Sequence, residues 1–150
     1  MPKLTKIFAD GTCKDGLIGW GIQVEDGESK SDKIEDIELA KLYNIGAEIQ
    51  AVIQAVAYAV KNNLKNIEVN TDLANIPKWV DGSYKANNPY TKGLVAFIAK
   101  VRAEHKMNIT FHIIDGEHNP AHDIARSAIG IGTTEEFDLD SLGEFIPDLS

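Results

Sequence analysis

Apolar positions recur with changing period along the chain, and those changes mark out its elements. Lys3 to Ala9, Gly19 to Glu25 and Lys33 to Leu39 are short extended candidates separated by the turn-rich stretches Asp10-Gly-Thr and Asp26-Gly-Glu-Ser, so they predict a meander of three strands. From Gly46 to Asn62 the period lengthens. Ile49, Val52, Ile53, Val56 and Val60 fall at offsets 0, 3, 4, 7 and 11, the spacing of an amphipathic helix that ends near Asn62 and Asn63. Asn66 to Thr71 predicts a fourth strand. Pro77 and the clusters Asp81-Gly-Ser and Asn87-Asn-Pro then leave a short helix, Ile76 to Val80, and an exposed loop. Leu94, Phe97, Ile98 and Val101 mark a second long helix, Asn108 to Ile114 a fifth strand, and Pro120 to Ile129 a last helix with Pro120 suited to its first turn. The predicted fold class is α/β: a five-stranded mixed sheet flanked by helices, its antiparallel meander extended by parallel strands through helical crossovers.

Length and composition change this picture little. At 150 residues and 43% hydrophobic content, the chain holds enough apolar material for one domain to bury a core without staples. The single cysteine, Cys13, has no partner for a bridge, and no Cys/His zinc spacing occurs, so a reducing, cytoplasmic setting is expected. The polar start Met-Pro-Lys-Leu-Thr-Lys does not read as a signal peptide. Apolar runs fall well short of the roughly 20 residues of a membrane helix, so no membrane partner is expected.

Charge changes it more. The net charge of -8 argues at first against a nucleic-acid partner, since phosphate binding draws on Lys and Arg. Residues 133 to 150, however, carry Glu135, Glu136, Asp138, Asp140, Glu144 and Asp148 and no base. The first 132 residues therefore hold 17 acids against 15 bases. Between Lys78 and Lys106 the balance is +4, a candidate phosphate-binding face. The division expected is a folded domain over 1–132 and a tail over 133–150. In the tail the acids are interleaved with Phe137, Leu139, Leu142, Phe145, Ile146 and Leu149, which makes it a candidate for docking on the domain or for a protein partner.

Four carboxylates stand out by position. Asp10 and Asp72 each close an apolar run, so both lie at the ends of predicted strands; Glu48 opens the first long helix, and Asp123 lies near the start of the last. In α/β sheets, ligands bind beyond the carboxyl ends of parallel strands, where Asp72 and, on a central strand, Asp10 would project. Singly, an aspartate after a strand is ordinarily a turn or cap residue. Together, four carboxylates on separate elements suit magnesium, which prefers hard oxygen ligands and keeps several waters.

At these residues the chain resembles the type 1 ribonuclease H family over roughly residues 3 to 130. Asp10-Gly11-Thr12 followed by Gly19-Trp20-Gly21 is similar to the family's first-strand Asp-Gly-Ser/Thr and second-strand Gly-x-Gly. Asn44-Ile45-Gly46-Ala47-Glu48 resembles the helix start that carries the family glutamate, in the style of the viroplasmin-linked branch, and Thr71-Asp72 matches the Thr-Asp ending the fourth strand. Lys78 to Asn87, with Trp79, Tyr84 and Lys85, is similar to that branch's basic handle. Glu117-x-Asn119-x-x-x-Asp123 resembles the last-helix motif. Five motifs in the family's order make chance a poor explanation.

The resemblance implies an RNase H-like catalytic domain over residues 1–132: a monomeric endonuclease that hydrolyses the RNA strand of RNA–DNA hybrids. Two magnesium ions about 4 Å apart, with manganese as a substitute, would activate water and stabilise the leaving oxygen. By resemblance Asp10 would bridge both ions, Glu48 and Asp72 would hold the ion beside the leaving group, and Asp123 the ion carrying the attacking water. Candidate readers of the 2′-hydroxyl are the backbone around Gly11 and Thr12 with the side chains of Asn44 and Glu48, while Trp79, Tyr84 and Lys85 would meet the hybrid's backbone. The family's histidine loop is shortened here to Ile114 to His118. His118 remains a candidate proton shuttle, with His122 behind it. His122 also replaces the alanine usual before the last aspartate. Two other classes compete: a DNA-acting nuclease of the same superfold, of the transposase, integrase or resolvase type, and a noncatalytic nucleic-acid-binding adaptor, which the four intact carboxylates do not favour.

Overall fold

A computed structural model describes residues 3–36, 39, 41–42 and 44–131. The tail, Thr133 to Ser150, and the proposed boundary at 132 lie outside the described residues. Strands β1 (Thr5–Lys14), β2 (Leu17–Val24) and β3 (Ser29–Glu35) form the antiparallel meander. Helix α1 (Asn44–Lys61) returns the chain to β4 (Asn66–Thr71), which pairs parallel to β1; α2 (Asn75–Val80) and α3 (Pro89–Glu104) lead to β5 (Asn108–Ile113), parallel to β4. A 3-10 turn, Gly116–His118, precedes α4 (Ala121–Ile131). The strand order is β3-β2-β1-β4-β5, the mixed five-stranded sheet that the periodicity predicts.

The differences from expectation have local causes. β1 runs through Asp10-Gly-Thr to Lys14, because the reversal comes only at Asp15 and Gly16, both with positive φ (53° and 81°). β3 starts four residues earlier than predicted. It is an edge strand, Ser-Lys-Ser-Asp-Lys-Ile-Glu, with Ile34 as its one apolar side chain, so hydrophobic alternation cannot locate it.

α1 is the hub. Predicted as amphipathic, it is buried from Gly46 to Ala59, because it lies between the sheet and α3. Ala47, Ala51, Ala55 and Ala59 recur every fourth residue without exposure, which keeps one face thin enough for close approach to β1 and β2. At its start the approach is closest: a side chain at Gly11 would collide with the Ala47 backbone. Ile7, Ala9, Trp20, Ile22, Ile67, Val69 and Ile109 join the helices' apolar residues in one core.

α4 covers the other face over β1, β2 and β3. A Cβ at Gly21 would lie 2.7 Å from the Ala125 nitrogen, and one at Gly19 would lie 2.6 Å from the Ala125 oxygen. The Gly19-Trp20-Gly21 sequence thus serves two faces at once, with Trp20 in the core and the glycines admitting α4. Among the described residues of that helix, Ala121, Ala125 and Ala128 are the buried ones.

Candidate active site

The carboxyl end of β4 lies beside the middle of β1, where their parallel pairing stops, and the first turn of α1 lies against both. Asp10 pairs across to Gly21 on β2, on the parallel-paired central strand, and Asp72 immediately follows β4. Backbone pairing fixes where these two aspartates stand, and the Gly11 contact sets the depth of Glu48. Asp10, Glu48 and Asp72 each present a carboxylate oxygen, and the three lie within 4.8 Å of one another. They share a cleft of about 280 Å³ with Gly11, Thr12, Asn44, Ile45, Leu73 and His122. Among the described residues no other group of three His, Cys, Asp or Glu side chains could hold a metal ion.

Glu48 is held by both oxygens. Oε1 accepts from the Gly11 backbone N–H at 3.0 Å, and Oε2 accepts from the Thr71 hydroxyl at 3.0 Å. Glu48 is 4% exposed and Asp10 3%, while Asp72 is exposed at the mouth. Burial, reinforced by the neighbouring carboxylates of Asp10 and Asp72, pushes the Glu48 carboxyl well above its ordinary 4.5. Asp72 is raised from 3.8 by the same causes, burial first and the Asp10 charge second. Three oxygen donors crowded at the cost of mutual repulsion form a set that a hard dication fits: its charge offsets the repulsion, and its ligand preference matches carboxylates.

The expected site residues separate into three groups. Gly11, Thr12 and Asn44 line the cleft beside Glu48. Trp79, Tyr84 and Lys85 do not line it; they form a separate projection. There Trp79 packs partly against the core, the Tyr84 N–H donates to the Lys78 carbonyl at 3.0 Å, and the Lys78 ammonium sits 4.8 Å from the centre of the Tyr84 ring. Lys85 is exposed beside them. Asn88 closes this loop by capping α3, accepting from the Tyr90 and Thr91 backbone N–H groups.

The last helix supplies the third group. Asp123 is exposed and contributes no oxygen to the carboxylate cluster. His118 has an 80% exposed side chain, with Nδ1 3.6 Å from Asp115 Oδ2, and does not line the cleft. His122 does line it, its Nδ1 2.8 Å from Asp10 Oδ2. Asn119 anchors this end of the helix, its amide donating to the Ala9 carbonyl at 2.9 Å and its oxygen accepting from the Ala121 N–H. Sequence reasoning ranks His122 behind His118, the reverse of what the cleft shows, and does not place Thr71 among the site residues. It marks Thr71 only as the neighbour of Asp72, and no local pattern shows that its hydroxyl faces Glu48.

Comparisons with known proteins agree with this geometry. The family model described as "Reverse transcriptase-like" matches residues 10–128. LC11-RNase H1, solved in complex with an RNA/DNA hybrid, is 25% identical with a TM-score of 0.69, covering 84% of this chain and 96% of its own. A second structure of LC11-RNase H1, isolated from compost by a metagenomic approach, is 26% identical with a TM-score of 0.69, covering 87% and 97%. The N-terminal RNase H domain of a Mycobacterium tuberculosis protein shares the fold at 22% identity and a TM-score of 0.70, covering 85% and 94%. No curated protein matches the chain by sequence.

Proposed function

Because the chain belongs to the reverse transcriptase-like family and is a ribonuclease H of type 1, we propose that it cuts the RNA strand of RNA–DNA hybrids with divalent cations held by Asp10, Glu48 and Asp72. The observation that carries this is the meeting of three carboxylates from β1, α1 and the end of β4 within 4.8 Å. The hybrid-bound state of LC11-RNase H1 supports the choice of substrate. Two such ions, when bound, supply an activated water and charge stabilisation for the leaving oxygen. Magnesium is the cation that an all-carboxylate core favours.

The chain's own residues do the positioning. Asp10 stands between Glu48 and α4, so its two oxygens can serve both sides of the cleft. The Gly11 N–H and Thr71 hydroxyl fix the Glu48 rotamer, so its carboxylate is aimed before substrate arrives. Thr12 and Asn44 line the cleft beside the carboxylates, where a sugar hydroxyl on the strand being cut would meet them. The Lys78–Tyr84–Lys85 projection offers cations and an aromatic face to the hybrid's backbone. Asp123, at the motif position, is the sequence's candidate for completing the metal site from α4.

The test is a cleavage assay with labelled RNA–DNA hybrid, double-stranded RNA, double-stranded DNA and each single strand, with and without magnesium. Metal-dependent cutting confined to the RNA of the hybrid is expected. Preferential cutting of DNA would favour the transposase or resolvase class, and binding without cutting of any substrate would favour the adaptor.

A further inference from the structure

We propose that Thr12, Lys14 and Arg126 form a phosphate subsite on the α4 side of the catalytic cleft, which takes one backbone phosphate of the hybrid a few nucleotides from the cut. The subsite rests on the proposed function above for the identity of the substrate.

Two residue periods, laid side by side, build it. Along β1, alternate side chains share a face. Asp10 pairs with Gly21 and Thr12 with Gly19, the two glycines that admit α4, so Asp10, Thr12 and Lys14 make one row on the α4 side, while Gly11 faces α1. The Thr12 methyl lies 3.3 Å from the point where a Gly19 side chain would begin, and the Ile129 methyl 2.9 Å from it. On α4, His122, Arg126 and Gly130 are spaced by four and so lie one above the other in a single stripe. Row and stripe run the same way: His122 meets Asp10, and further along Arg126 and Gly130 line a second cavity with Thr12, Cys13, Lys14 and Ile129.

The cavity measures about 280 Å³, no acid lines it, and Thr12 is the wall it shares with the catalytic cleft. Lys14 and Arg126 are exposed, and among the described residues neither side chain is bridged to a carboxylate. Gly130 leaves the hollow unfilled, since a Cβ there would meet nothing within 4 Å. A guanidinium fork pairs with two phosphate oxygens, an ammonium adds a point charge, and a threonine hydroxyl donates to a third oxygen. Four strand residues put Lys14 about 13 Å from Asp10. For a hybrid lying along this row, that is about four steps of a strand advancing about 3.4 Å of axis per nucleotide. The other basic face, Lys78 to Lys106, belongs to α2 and α3, across the sheet from α4. In a chain of net charge -8, Lys14 and Arg126 therefore give the cleft a cationic contact on its second side.

The experiment uses the full chain and a labelled RNA–DNA hybrid, with binding measured by fluorescence anisotropy in chelator and steady-state cleavage in magnesium. The parent is compared with Lys14→Ala, Arg126→Ala, the double variant, and Gly130→Glu, which puts an acid into the hollow. Lys3→Ala, an exposed charge before the opposite end of β1, is the control, and circular dichroism checks that each variant is folded. In a second arm, neutral methylphosphonate linkages replace single phosphates at successive positions of each strand. The double variant should bind at least about tenfold more weakly at low salt, and its slope of log Kd against log salt should fall by about one, because both cations face one phosphate. KM should rise with kcat unchanged, Gly130→Glu should act in the same direction, and Lys3→Ala should change neither. One methylphosphonate should weaken binding by the parent and not by the double variant, and the strand that carries it tells whether an RNA or a DNA phosphate is held. A double variant that matches Lys3→Ala, or a methylphosphonate profile identical to the parent's, overturns the subsite, while magnesium-dependent cleavage by the parent leaves the proposed function standing. A parent that neither binds nor cuts the hybrid overturns the proposed function and the subsite with it.

Discussion

The two sides of the cleft are built by different means. On one side, Asp10 stands in β1 just past its parallel pairing with β4 and Asp72 just past the end of β4, with Glu48 pressed against them by the Gly11–Ala47 contact. On the other, α4 offers His122 and Asp123 on consecutive positions of a helix laid over the sheet. A strand residue's direction follows from alternation and register, so a one-residue error would flip the whole strand and is strongly excluded. A helix residue's direction depends on how the helix is rotated in its seat. That rotation is a tertiary property.

The largest effect should come from the strand side. Asp10→Asn or Asp72→Asn removes a ligand charge at similar volume, and hybrid cleavage should fall at least about 1000-fold, equivalent to about 4 kcal/mol of transition-state stabilisation. Far-ultraviolet circular dichroism should be unchanged. Near-parent cleavage by both folded variants would erase the distinction between the two sides, because neither aspartate would then be part of the chemistry.

This difference also decides how much could be read from the sequence. The strand end before Asp72, the helix opening before Glu48 and the order of the elements follow from short-range patterns; the expected strand end at Asp10 does not hold, since β1 continues to Lys14, yet the structure places these three carboxylates together. The Glu117-x-Asn119-x-x-x-Asp123 motif locates the last helix and the buried Asn119, yet it carries no information about rotation. His122 is visible as a departure from an expected alanine and as a second choice behind His118, because no local pattern shows which histidine faces the cleft. The partnership of Thr71 with Glu48 spans 23 residues and needs the fold to exist. The edge strand β3 escapes its predicted bounds because polar side chains on an exposed edge leave no period to detect.

Disturbing the seat of α4 should have an intermediate effect. Gly21→Val places a Cβ 2.7 Å from the Ala125 nitrogen and 2.8 Å from the Ile124 methyl, so α4 must lift or turn. Overpacking of this kind costs about 1–3 kcal/mol, to be measured by urea unfolding. Cleavage should fall further than stability alone explains under conditions where the variant is folded, because the His122 contact with Asp10 is lost while the three carboxylates stay in place. Full activity in a destabilised variant would show that the helix side contributes packing only.

The smallest effect concerns charge within the strand side, and its sign is set by Glu48. Its carboxyl titrates well above 4.5 in the folded protein because of burial and the neighbouring Asp10 and Asp72 charges. A carboxyl with a folded value above its unfolded one binds its proton more tightly when folded. The ionised group therefore lowers stability at pH above the folded value, and that penalty is relieved as the pH falls through the folded value toward 4.5. Asp72 acts in the same direction from 3.8. Glu48→Gln should thus melt a few degrees above the metal-free parent at neutral pH, and the gap should close on acidification through this window. Adding a divalent cation to the parent at neutral pH should close the same gap from the other side, since the ion binds the folded state and neutralises the cluster. The Gly11 and Thr71 hydrogen bonds oppose this, because the substituted amide would keep one acceptor oxygen and lose the other. If the variant melts below the parent at every pH, those two bonds outweigh the repulsion, and Glu48 is held in place by its donors more than it is strained by its neighbours.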